Sequence, residues 1–249
     1  MRYTIIWLIF FPALLHSNAT VAADTTKCSY RFNNYYELSL SGGANEFAGA
    51  LSWAHLHGFG KKKQKFKIGY GLRLTSFAGK DLDYTTAPAR LTSRATGPQV
   101  LFSETFLESI DTVTFSSAQT NSLNISIQLQ YSFSKKIDIG FNIDAIGFSF
   151  GPTKTGTLIS SIKPSGLSEV QSARPTPFNL LLVSDNDIGS LNSELYLRYW
   201  FRDQFAIKSG ITFLFSEYTT DNTLIFDNDR FRYKSLMFLL GFTYSPFKR

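Results

Sequence analysis

The chain has 249 residues, a formal net charge of +6, 18% charged and 16% aromatic residues, three histidines and one cysteine. A single cysteine excludes an internal disulfide framework, and a basic balance without clustered basic helices or zinc-type spacing argues against nucleic acid as a partner. Twenty-four phenylalanines set against so few charges suit contact with lipid rather than water.

The first twenty-three residues read as a cleavable export signal. Arg2 precedes an apolar run from Tyr3 to Leu15, and small residues end at Val21-Ala22-Ala23. The run is short and poorly flanked for a membrane-spanning helix. Domain organisation is therefore expected to be a signal peptide at 1–23 and one β-barrel domain at 24–249, and the mature charge is about +5. Cys28 lacks the preceding small apolar residues that lipid attachment needs.

From there the sequence repeats one pattern. Tyr36 to Ser41 is a first short segment; the next, roughly Phe47 to Phe59, alternates poorly. Phe66, Ile68, Tyr70, Leu72 and Leu74 alternate with Lys67, Gly69, Gly71, Arg73 and Thr75. Asn121 to Phe133 sets Leu123, Ile125, Ile127, Leu129, Tyr131 and Phe133 against Asn, Ser and Gln, and Ile137 to Asp144 continues the rhythm. Leu195 to Phe201, Phe205 to Phe215 and Leu236 to Tyr244 complete the set. Period two with one oily face predicts half-buried strands, eight in all.

The connections are asymmetric. Lys61-Lys62-Lys63-Gln64-Lys65, Ser134-Lys135-Lys136 and Arg202-Asp203-Gln204 are short and charged, whereas two stretches of about forty residues, near 79–119 and 151–190, and a medium one near 218–230 fall at the opposite end. The polar face is mainly Ser, Asn, Gln, Gly and Thr, which suits a cramped interior better than a solvated exterior. The oily face is therefore expected to meet lipid, in an eight-stranded antiparallel up-and-down transmembrane β-barrel. Val113 and Phe115 are placed to extend a strand above the membrane, and Pro152, Pro164, Pro175 and Pro177 to stiffen the second long loop without a helix.

This pattern over residues 30–249 resembles the small outer-membrane β-barrels of Gram-negative envelopes, the OmpA/OmpX-type and porin-like group. The terminal Gly241-Phe242-Thr243-Tyr244-Ser245-Pro246-Phe247 looks like the aromatic-ended insertion signal of such proteins, although Pro246 interrupts it and Lys248-Arg249 follow it. The resemblance implies outer-membrane localisation, with membrane lipid as the surrounding partner.

An eight-stranded barrel is just wide enough for its own side chains to fill. The expected lumen network places Lys67, Asp138, Arg198 and Lys208 near the short-turn rim and Arg73, Gln128, Asp144 and Glu194 nearer mid-depth, with signs mixed so that buried charges pair. An ion or proton path through the lumen is the sharper alternative. His55 and His57 share a strand face with Trp53 and read as an interfacial aromatic belt rather than a metal pair. The Lys61–Lys65 run is either a solvated turn or a contact for anionic lipid or a periplasmic partner. No Gly-x-Ser-x-Gly, paired-cysteine or phosphate-loop pattern accompanies these features, so no catalysis, metal or cofactor is expected. The reading is a monomer with a structural or adhesin-like role and long external loops as its contact surface; a narrow channel or carrier, or an accessory barrel of an envelope machine, are the alternatives.

Overall fold

The computed structural model describes residues 32–59, 65–95, 97, 99, 104, 106, 110–160 and 169–246. Met1–Ala23, Cys28 and Lys61–Gln64 lie outside the described residues. Eleven strands occur among the described residues: β1 (Phe32–Gly42), β2 (Glu46–Phe59), β3 (Phe66–Thr86), β4 (Thr112–Ser132), β5 (Ile137–Phe150), β6 (Lys154–Ile159), β7 (Val170–Pro175), β8 (Phe178–Leu180), β9 (Asn192–Trp200), β10 (Phe205–Thr220) and β11 (Arg230–Tyr244). The only α-helix among the described residues is α1 (Ala89–Thr92).

Eight of the strands close a ring. Antiparallel ladders join β1 to β2, β2 to β3, β3 to β4, β4 to β5, β5 to β9, β9 to β10 and β10 to β11, and β11 returns to β1 from Tyr36↔Tyr244 to Gly42↔Phe238. Closure leaves no unpaired edge, the condition lipid imposes on a sheet.

Alternation decides which face looks where. Leu38, Leu51, Tyr70, Leu72, Ile127, Leu197, Ile211, Leu236 and Phe238 are exposed on the outer face, while Glu37, Arg73, Asn124, Asp144, Glu194 and Lys208 are buried inside. The oily face is the outer one. Segment β2 alternates poorly in sequence because alanine rather than a polar residue fills much of its inner face: Ala48, Ala50 and Ala54 point inward, opposite Phe47, Leu51 and Trp53. Its pairing nonetheless runs from Glu46↔Gly79 to Phe59↔Phe66 on β3 and from Phe47↔Gly42 to His57↔Phe32 on β1.

The stretches near 79–119, 151–190 and 218–230 are less loop-like than their composition suggests. Strands β3 and β4 run on as a hairpin to Thr85↔Thr112. Hairpin β6–β7 joins β4 at one side and β10 at the other, and β11 meets β3 at Phe231↔Thr86. A second, six-stranded ring, β3-β4-β6-β7-β10-β11, thus stands on the first. The short β1–β2 hairpin drops out below it, as do β5 and β9. Where β9 has ended, segment 178–191 patches the wall, β8 pairing with β5 while Ile188 pairs with Leu180.

Along β3 and β4 the polarity of the two faces inverts. On β4 the outward residues are Leu123, Ile125, Ile127, Leu129 and Tyr131 in the lower part, and Thr112, Thr114, Ser116, Ser117, Gln119 and Asn121 above. The inward residues change oppositely, from Gln130, Gln128, Ser126, Asn124 and Ser122 to Ala118, Phe115 and Val113. Strand β3 does the same, with Lys67, Arg73 and Thr75 inside below and Phe77, Leu82 and Tyr84 inside above. The lower ring is built like a membrane barrel and the upper ring like a water-soluble one. At the junction each strand turns two successive residues outward, Lys80 and Asp81 on β3 and Ser116 and Ser117 on β4, and Asp81 takes a φ of 51°.

Candidate functional site

The lower lumen is filled by one connected network. Arg73, 1% exposed, donates from Nε and Nη2 to Asp144 Oδ1 at 2.9 and 2.5 Å and from Nη1 to Asn142 Oδ1 at 2.7 Å, and it lies 3.3 Å from Glu194. Asp144 Oδ2 accepts from Asn124 Nδ2 at 2.8 Å and from the Asn192 amide at 3.0 Å. Lys208 bridges Glu194 at 2.8 Å and Glu37 at 2.9 Å. Arg198 donates to Glu37, to Gln130 Oε1 at 2.8 Å and to Thr243 Oγ1 at 3.2 Å, and it stands 4.0 Å from Asp138. Such charges are tolerable away from water because each is paired and further hydrogen-bonded.

Six of the eight residues singled out in the sequence, Arg73, Asp138, Asp144, Glu194, Arg198 and Lys208, therefore meet in one cluster rather than in two layers. Lys67 sits lower, donating to Asn33 Oδ1, and Gln128 stands apart, donating to Ser126 Oγ at 2.8 Å. Glu37 was missed, although it links Arg198 to Lys208. Its signal was present, since it shares the inward parity of Ser39 and Ser41.

Aromatic and apolar groups close both ends of this network. Below, Tyr35, Ala54, Leu56, Trp200 and Ala206 pack together; the Arg198 guanidinium lies 4.6 Å from the Tyr35 ring centre, and Trp200 Nε1 donates to Asp138 Oδ2 at 2.7 Å. Above, Tyr84, Phe115 and Tyr218 meet at centroid distances of 5.0 to 5.3 Å, with Phe77, Leu82, Val113, Leu214, Leu224 and Phe231 in the same core. The Tyr84 hydroxyl donates to Ser216 Oγ at 3.0 Å, and burial raises its pKa well above the ordinary 10.0. On the lower rim, His55 Nδ1 lies 2.8 Å from Asn34 Oδ1, and its ring contacts Trp53 and Tyr70 at 6.3 and 5.5 Å.

The external segments are tied to one another by polar contacts that the sequence does not announce. Glu217 accepts from Arg230 Nε at 2.7 Å and from Arg232 Nη2 at 2.8 Å, and both arginines donate to the Asp187 carbonyl. Lys234 pairs with Asp185 at 2.5 Å, Asn186 Nδ2 donates to the Gly97 carbonyl at 3.0 Å, and Arg90 donates to the Asp227 carbonyl at 3.2 Å. These residues scatter from 90 to 234, so only the folded chain brings them together.

The fold and its filled interior define a transmembrane β-barrel of eight strands carrying a second, narrower ring. No family model matches the chain, and no curated protein matches it. Among solved structures it is similar to Neisserial surface protein A, at 6% identity and a TM-score of 0.37, covering 86% of this chain and 96% of that one. It is also similar to the Yersinia pestis outer membrane protein Ail, at 7% and 0.34, covering 86% and 98%. A major outer membrane protein from Thermus thermophilus gives 9% and 0.36, covering 87% and 100%.

Proposed function

We propose that the chain is an outer-membrane barrel that anchors a rigid external contact surface and acts by binding, without catalysis and as a monomer. The observation that carries this reading is the inversion of face polarity along β3 and β4. A strand with an oily outside and polar inside becomes one with a polar outside and an aromatic inside, a pattern that supports an upper ring in water and a lower ring in lipid. Closed pairing holds that upper ring as a packed body rather than a set of free loops. The same interior supports a barrel closed to solutes, since ion pairs fill its middle and aromatic groups both ends. Export by the leader at 1–23 and membrane lipid as the surrounding medium belong to the same proposal.

Planar-bilayer recording of the refolded chain should show no discrete conductance steps. A version with β3–β4 cut back to Ser76 and Asn121 should retain the unheated gel shift of a closed barrel while losing surface contacts made by the full chain on whole cells. Regular conductance steps, or contacts untouched by the truncation, would overturn the reading.

A further inference from the structure

Between the ion network and the aromatic core the inward side chains turn short and hydroxylic. Thr75 on β3, Thr120 and Ser122 on β4 and Ser216 on β10 face inward at this level, and Ser190 and Asn192 reach it where the 178–191 patch runs into β9. All six residues are at least nine-tenths buried. Their side chains do not fill the space between them. A cavity of about 10 Å³ remains, room for about one water molecule.

Part of this layer satisfies itself. Thr120 Oγ1 lies 3.0 Å from Ser216 Oγ, which accepts from Tyr84 at 3.0 Å, and Ser190 Oγ accepts from the Glu217 amide at 3.2 Å. Thr75 Oγ1 and Asn192 Oδ1 have no hydrogen-bond partner among the described residues, and both residues line the cavity. Buried polar atoms are hydrogen-bonded almost without exception, and a polar void beside two such atoms suits a small bound guest.

The two atoms select that guest. An amide oxygen only accepts, so the guest must donate, whereas the threonine hydroxyl takes either role. The charges nearest the layer already answer each other. Arg73 Nη2 lies 2.5 Å from Asp144 Oδ1 while donating to the Asn192 carbonyl at 2.6 Å, and the Asn192 amide donates to Asp144 Oδ2 at 3.0 Å. What remains for the guest is neutral hydroxyl and amide, which favours water over an ion.

We infer that this layer binds one structural water, which donates to Asn192 Oδ1 and accepts from Thr75 Oγ1, with Ser122 as a third polar neighbour. The water links β3 to the first residue of β9, strands that are not neighbours in the ring, and adds a second tie beside the one from Arg73. It pins the seam where the wall changes from patch to strand.

Crystals of the full refolded chain in lipid test this. The parent should show an ordered water at roughly 2.7–3.2 Å from both Thr75 Oγ1 and Asn192 Oδ1. Thr75→Val keeps the shape and removes the hydroxyl, so occupancy of the site should fall to roughly half or less once one of its polar partners is gone. Thr75→Ser keeps the hydroxyl and should keep the water, and the unheated gel shift reports that each variant has closed its barrel. Parent crystals grown in rubidium chloride should give no anomalous peak at the site. A dry cavity in the parent, undiminished water in Thr75→Val, loss of the water in Thr75→Ser or a rubidium peak would overturn the inference.

Discussion

Glu37→Gln is the sharpest probe of the lumen. The carboxylate accepts from Arg198 through Oε1 and from Lys208 through Oε2, and Thr243 Oγ1 also donates to it at 3.0 Å. An amide keeps the volume but removes the charge, so two cations lose a counter-ion at once. Arg198 retains Gln130 and Lys208 retains Glu194, which softens the loss. Removing one partner from a buried, hydrogen-bonded pair costs about 3–5 kcal/mol, and the remaining partners place this variant near the lower end, at about 3 kcal/mol. Reversible urea unfolding of the barrel in lipid vesicles measures it. Adding Lys208→Met removes a cation that has lost its acid, so the double variant should be more stable than the sum of the single changes by about 1 kcal/mol or more. In a water-filled lumen both effects would shrink, because exposed ion pairs contribute about 0–1 kcal/mol. A cost below about 1 kcal/mol with additive behaviour would refute the filled-lumen argument.

The upper ring should respond separately from the lower one. Tyr84→Ala empties the centre of the aromatic core at a cost of about 3–5 kcal/mol, which should expose the external strands to protease while the unheated band persists on gels. Because the folded Tyr84 phenol titrates above its ordinary 10.0, its contribution is intact below pH 10 and fades as pH rises toward the folded value. Tyr84→Phe should abolish the part of the alkaline loss of protease resistance that comes from this group. At Gly189, φ is 77° and an added Cβ would fall 2.2 Å from Asn179 Oδ1 and 2.3 Å from the Phe178 carbonyl. Gly189→Ala should therefore loosen the 178–191 patch, read as faster amide exchange at Leu180 and Ile188.

The ring of eight was legible because period two survives wherever one face is oily and the other is amide or hydroxyl, as in Asn121–Phe133. Of the second ring only the extension of β4 through Val113 and Phe115 was legible. Its strands carry the alternation in reversed sense, and the paired slips at Lys80-Asp81 and Ser116-Ser117 shift the phase, so Leu82, Tyr84, Val113 and Phe115 do not continue the pattern below them. Hairpin β6–β7 was hidden for another reason, since its six-residue strands hold polar residues, Gly156 and Pro175. Within the lumen, parity alone identified most of the ion network. What parity does not supply is depth, and so the two expected layers are one cluster, Gln128 lies outside it, and Glu37 went unnoticed.

The two slips at the waist stand on facing strands, and the ladder runs in step across them, with Lys80 opposite Ser117 and Leu82 opposite Phe115. A lone insertion on either strand would have thrown every pairing beyond it out of register, and matched insertions cancel. The hairpin thereby behaves like a zip whose two tapes each gain one tooth at the same place. Evolution or an engineer can lengthen, trim or exchange the outer storey in such matched steps while the hydrogen bonds that seal the membrane wall stay where they are.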